Sequence, residues 1–128
     1  MAESNDLNRK VNRLFTDIEA FSEDRLVAST TTVRNSGIIK ASPGTLYQMF
    51  GFSGAAAKQF IQLHDAVSPP SSGAVPKFVI SAESSGNFAA DFGMYGLPFA
   101  TGISWTNSSV ASYLEPASSD CFLTATYI

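Results

Sequence analysis

The one histidine, His64, stands beside Asp65, the only place where the chain sets an imidazole next to a carboxylate. A Ser-His-Asp hydrolase needs that carboxylate to hold the ring in one orientation while the far nitrogen activates a serine. Residues 58–64, KQFIQLH, read as a strand, and neighbours on a strand point to opposite faces, so Asp65 is badly placed to orient the ring. No nucleophile-elbow pattern accompanies the pair. His64 is therefore expected to be a strand-end residue touching solvent. Glycoside hydrolysis asks for two carboxylates facing each other across a cleft. Asp65, Glu83, Asp91, Glu115 and Asp120 are the acids beyond residue 34, four of them in or beside expected turns, and no spacing singles out a pair. A lone histidine and a lone cysteine, Cys121, offer no metal-ligand spacing. No catalytic residue, cofactor or metal is expected, and the chain reads as a non-enzyme.

Aromatic rings supply the other chemistry. Tyr47, Tyr95, Trp105 and Tyr113 could stack on the apolar faces of sugars, with Tyr95 and Trp105 the pair to face a ligand. The alternative is that these rings fill the core or subunit contacts, as large aromatics mostly do.

The elements that would carry these residues fall into two regimes. Residues 1–34 hold six acids and five bases, eleven of the nineteen charged residues; the remaining 94 residues are rich in Ser, Thr, Ala and Gly. Residues 4–26 contain no Gly or Pro, and Leu7, Val11, Leu14, Ile18 and Phe21 follow spacings of 4, 3, 4 and 3. That is an a/d seam of about two heptads, with Val and Ile at a. The seam predicts an N-terminal amphipathic helix (1–26), either laid on its own body or docking on other copies or another protein.

From Val27 the period becomes two, and β-branched residues favour strand. Strands are expected at 27–34, 38–42, 45–53, 58–64, 77–82, 88–92, 97–105 and 121–127. On the third, Leu46, Gln48, Phe50 and Phe52 would share one face. On the seventh, Phe99, Thr101, Ile103 and Trp105 would share another, with Pro98 at the strand start or on an edge. Gly93 and Gly96 frame a tight reversal. The segment 65–76, with three prolines, reads as a surface loop with a contact role. About eight short strands without helical crossovers make residues 27–128 an antiparallel β-sandwich, mainly β, jelly-roll or immunoglobulin-like.

A net charge of −3 argues against general nucleic-acid affinity. Nothing approaches the apolar length that spans a bilayer, so no membrane partner is expected. One cysteine excludes an internal disulfide, and the start lacks a signal peptide's apolar region. Synthesis and folding in a cytoplasm are expected.

Three segments carry a resemblance: SGIIKASPGTLYQMFGFSGAAAKQFIQLHDA, then PKFVISAE, then NFAADFGMYGLPFATGISWTNSS. Within them, residues 44–47 (GTLY), 60–63 (FIQL) and 96–103 (G-x-x-F-x-T-G-I) occur in the order seen in small β-sandwich virion structural proteins of tailed bacteriophages. The chain resembles these over about residues 36–128; the N-terminal helix lies outside the likeness. The resemblance implies a place on the virion, as a capsid decoration or cement protein or a head-fibre subunit. Expected partners are capsid or tail proteins and other copies, with a trimer the first choice. The trimer comes from its frequency among phage decorations and fibres, whereas Val and Ile at a with Leu at d lean towards two strands. The rival expectation is a tail-associated receptor- or carbohydrate-binding module built on Tyr95, Trp105 and the Ser/Asn-rich loops.

Overall fold

A computed structural model describes residues 7–12 and 25–128. Residues 7–12 are helical. The described body holds nine strands: β1 (Leu26–Ser29), β2 (Ser36–Lys40), β3 (Gly44–Ser53), β4 (Gln59–Asp65), β5 (Phe78–Ala82), β6 (Gly86–Asp91), β7 (Leu97–Phe99), β8 (Ile103–Ser108) and β9 (Cys121–Tyr127). Two antiparallel sheets pack face to face as a sandwich. One has the order β1-β9-β3-β6, with β7 also on β3; the other is β2-β8-β4-β5.

Pairing is nested: β1 with β9, β2 with β8, β3 with β6, β4 with β5. The chain is thus one long antiparallel ribbon, rolled until β9 meets β3 and β8 meets β4. Only β4 and β5 are both consecutive and paired. This is the connectivity of a jelly roll rather than of an immunoglobulin sandwich. Between the sheets lie Leu46, Met49, Phe88, Leu123 and Ala125 from one side and Ile61, Leu63, Ile103 and Trp105 from the other.

Three strand readings are corrected. The run 97–105 is two strands in different sheets, because the chain crosses the sandwich at residues 100–102 and the backbone N–H groups there bond to Asp65 instead of a ladder. Phe99 and Trp105 therefore share no strand face. The run 27–34 ends at Ser29: the Thr30 hydroxyl takes the Leu123 N–H, and Arg34 returns only as an isolated bridge to Cys121. On β3 the register with β9 shifts between Leu46 and Gln48. Leu46 and Met49 both turn inward across that bulge, while Phe50 and Phe52 turn out.

Candidate functional site

The two outer faces of the sandwich differ, and the difference begins with residue type. On the β2-β8-β4-β5 sheet the outward positions of β4 and β8, half-buried Phe60 apart, are polar: Gln62, His64, Ser104, Thr106 and Ser108, every one buried. Loops cover them. The Pro-rich loop 66–77 reaches across to loop 109–117, with Gly73 N–H on Leu114 O at 2.7 Å and Leu114 N–H on Ala74 O at 2.8 Å. Gln62 Nε2 donates to the carbonyls of Val110 (2.9 Å), Ala111 (3.2 Å) and Tyr113 (2.9 Å). The Ser108 hydroxyl accepts the N–H groups of Val110 and Glu115. These bonds satisfy buried backbone groups that the loops would otherwise strand.

His64 belongs to this layer. It is 3% exposed, which corrects the solvent-touching expectation: the loop that follows β4 folds back over it. Its Nε2 lies 2.8 Å from Thr106 Oγ1, and Thr106 Oγ1 donates to Gln62 Oε1 at 3.4 Å. With the hydroxyl donating to Gln62, the ring donates through Nε2–H. Burial lowers the His64 pKa, so the neutral ring is the folded form at neutral pH. Among the described residues no serine hydroxyl is bonded to its ring, and Asp65 points elsewhere. Asp65 Oδ1 accepts from Thr101 (2.8 Å) and Gly102 (3.3 Å), and Oδ2 accepts from Ala100 (3.1 Å). Those N–H groups, Thr101 foremost, hold its carboxyl below the usual range against an opposing effect of desolvation. Asp65 is a structural clamp on the crossing between sheets.

The other acids are dispersed. Asp91 Oδ1 accepts Gly93 N–H at 2.9 Å, and Glu83 meets Lys58 at 3.6 Å. Among the described residues no group of three or more His, Cys, Asp or Glu could hold a metal. Cys121 is buried and its thiol pKa is raised by that burial. An opening between β1 and β2, beside Trp105, holds about 220 Å³, less than the roughly 300–1,000 Å³ of small-molecule sites.

The outer face of the β1-β9-β3-β6 sheet carries an exposed apolar patch among polar positions. Phe50, Phe52 and Phe122 are 49%, 41% and 43% exposed. Phe52 stands opposite Phe122 across the β3–β9 ladder, and Phe50 lies between Thr124 and Ala89. Together with Asn87 and Ala89 they line a groove of about 490 Å³. Gly51 lets the strands close beneath it: a Cβ there would overlap the Phe122 carbonyl and lie 2.5 Å from the Phe88 ring. The periodicity of β3 missed this face because it assigned Phe50 and Phe52 to the same side as Leu46. The one available signal was a strand with too many large apolar residues on both faces for a single core.

The residues singled out in the sequence are not brought together. Trp105 is 1% exposed and sits in the core rather than on an exposed platform; the strand that bears it is buried along its length. Tyr95 is 87% exposed on the excursion between β6 and β7, beside exposed Met94. Tyr47 is buried, with the Arg25 guanidinium 3.9 Å over its ring. Leu7 and Val11 of the seam are 61% and 42% exposed. Leu14, Ile18 and Phe21 lie outside the described residues. Compared with protein-family models, with curated proteins and with solved structures, the chain matches none.

Proposed function

We propose that this chain is a non-enzymatic structural subunit of a bacteriophage virion, a capsid decoration or cement protein or a head-fibre subunit that works as an oligomer. The observation that carries a subunit role is the exposed phenylalanine patch on the β1-β9-β3-β6 sheet, set against an opposite face whose central strands, β4 and β8, are covered by the chain's own loops. Exposed contiguous apolar surface of this kind marks association, and its outward positions are depleted in charge as interface centres are. The virion setting rests on the ordered likeness over residues 36–128, and jelly rolls recur among viral capsid domains. They recur among lectins as well, and a fold alone names no function. The receptor- or carbohydrate-binding reading keeps Tyr95 but loses Trp105 from its platform, and so ranks second.

Image reconstruction of the native particle tests the proposal. Nine-stranded sandwiches in symmetric copies on the capsid or a fibre are the expected result. A purified particle that lacks the protein would overturn it.

A further inference from the structure

We propose that the groove among Phe50, Phe52 and Phe122 receives the N-terminal segment of a neighbouring copy, with Leu7 and Val11 seated against the rings. This rests on the structural-subunit reading, which supplies neighbouring copies, and it names the contact between them.

Each chain carries two uncovered apolar features. One is the helical stretch 7–12, where Leu7 and Val11 are four residues apart, one turn along the same helix face, and both exposed. The other is the groove, of about 490 Å³, a size that falls within the range of formed binding sites, roughly 300–1,000 Å³. Pairing helix with helix would cover the first and leave the second in water. Pairing sheet with sheet would cover the second and leave the first. Helix in groove covers both, and it is a recurring way for an amphipathic segment to be held.

Size and charge point the same way. Four strands about 4.8 Å apart and roughly six residues long present a flat area near 400 Å², about half of what each partner of a stable complex buries. Sheet-on-sheet contact alone is therefore too small. No charged residue lines the groove. Residues 7–14 carry Arg9, Lys10 and Arg13 and no acid. Acids stand near the groove instead: Asp91 ends β6 on the same outward face, and Asp120 immediately precedes β9. One segment and one groove per chain make a head-to-tail contact, and such contacts close into rings when the rotation between copies allows.

Single cysteines placed beside each feature test this in the full chain. Asn8→Cys lies within the segment and Asn87→Cys on the groove wall; Cys121 is buried and does not compete. The two variants, one bearing a mass tag, are mixed and joined with a short thiol-to-thiol linker. The expected dominant product joins position 8 of one chain to position 87 of another, and adding Phe52→Asp or Leu7→Asp removes it along with the oligomer seen in sedimentation. Products joining only 8 to 8, or only 87 to 87, would overturn the proposal. So would the absence of any inter-chain product, including the case where a doubly substituted chain closes on itself. A protein found on particles that gives no mixed product defeats this contact alone. A protein that gives the mixed product yet is missing from particles defeats the virion reading alone.

Discussion

His64 is held neutral by burial, and that has a defined consequence for stability. Its folded-state pKa lies below the ordinary 6.5, so the unfolded chain takes up a proton first as pH falls. Stability is complete above about pH 6.5, declines as pH drops below it, and levels off once the folded ring is also protonated. Thermal melts should show the midpoint falling between about pH 7 and about pH 5. The variant His64→Gln, which keeps a donor for Thr106 and does not titrate, should be nearly flat over that window. An unchanged slope in the variant would place the dependence elsewhere. Asp65 acts in a lower window. Its carboxyl is depressed below the ordinary 3.8, so its stabilisation is present above that value and lost as acid protonates the folded clamp.

Among the elements, β4 shows how a strand can be buried on both faces within an antiparallel sandwich. Ile61 and Leu63 face the core, while Gln62 and His64 face loops. Replacing Gln62 with Ala removes the donor shared by the carbonyls of Val110, Ala111 and Tyr113 and strands Ala111, since the Ser108 hydroxyl can still donate to either of the other two. The expected cost is about 1–3 kcal/mol, the scale for stranding buried polar groups. Amide exchange over residues 109–115 should rise ahead of exchange in β8; unchanged exchange there would show that Ser108 and the backbone bonds to loop 66–77 secure the loop without Gln62. The same strand measures what was legible beforehand. FIQLH gave away a buried strand by its apolar content and β-propensity. Turns at Pro43-Gly44 and Gly93–Gly96 gave the boundaries, since such residues act within a few positions of themselves. The layer above Gln62 was not legible, because its partners lie about fifty residues away and no local pattern encodes them. The candidate face was hidden for a related reason. A bulge at Leu46/Gln48 is set by the register against β9, so the alternation of β3 inverted without any change in composition.

At the scale of the molecule, the nested ribbon joins positions far apart in sequence: Ser29 faces Thr124 across β1 and β9, 95 residues away. Non-local pairing has to close large loops before contacts reward it, which slows folding. Refolding of the body should therefore take milliseconds to seconds, the range typical of sandwiches dominated by distant contacts. Unfolding should be a single transition, because β9 lies between β1 and β3 and, among the described strands, β1 reaches the sheet through β9 alone. Microsecond refolding, or separate transitions for the two sheets in stopped-flow fluorescence of Trp105, would contradict this picture.

The break between β6 and β7 leads somewhere else. Both half-strands lie along the same strand, β3, and each is registered to it independently: Asp91 opposite Gln48, Leu97 opposite Leu46. The chain leaves that line at Phe92 and rejoins it at Gly96, whose φ of +70° and closeness to Thr45 (2.5 Å from a would-be Cβ) fix the point of return. Gly93 at the outer side, with φ of +77°, meets nothing within 4 Å. What lies between is a cassette. Its length and side chains, Met94 and Tyr95 among them, can vary without moving a ladder bond or a core atom. A lineage could therefore retune what this edge touches while inheriting the scaffold intact, provided the glycine at the return is kept.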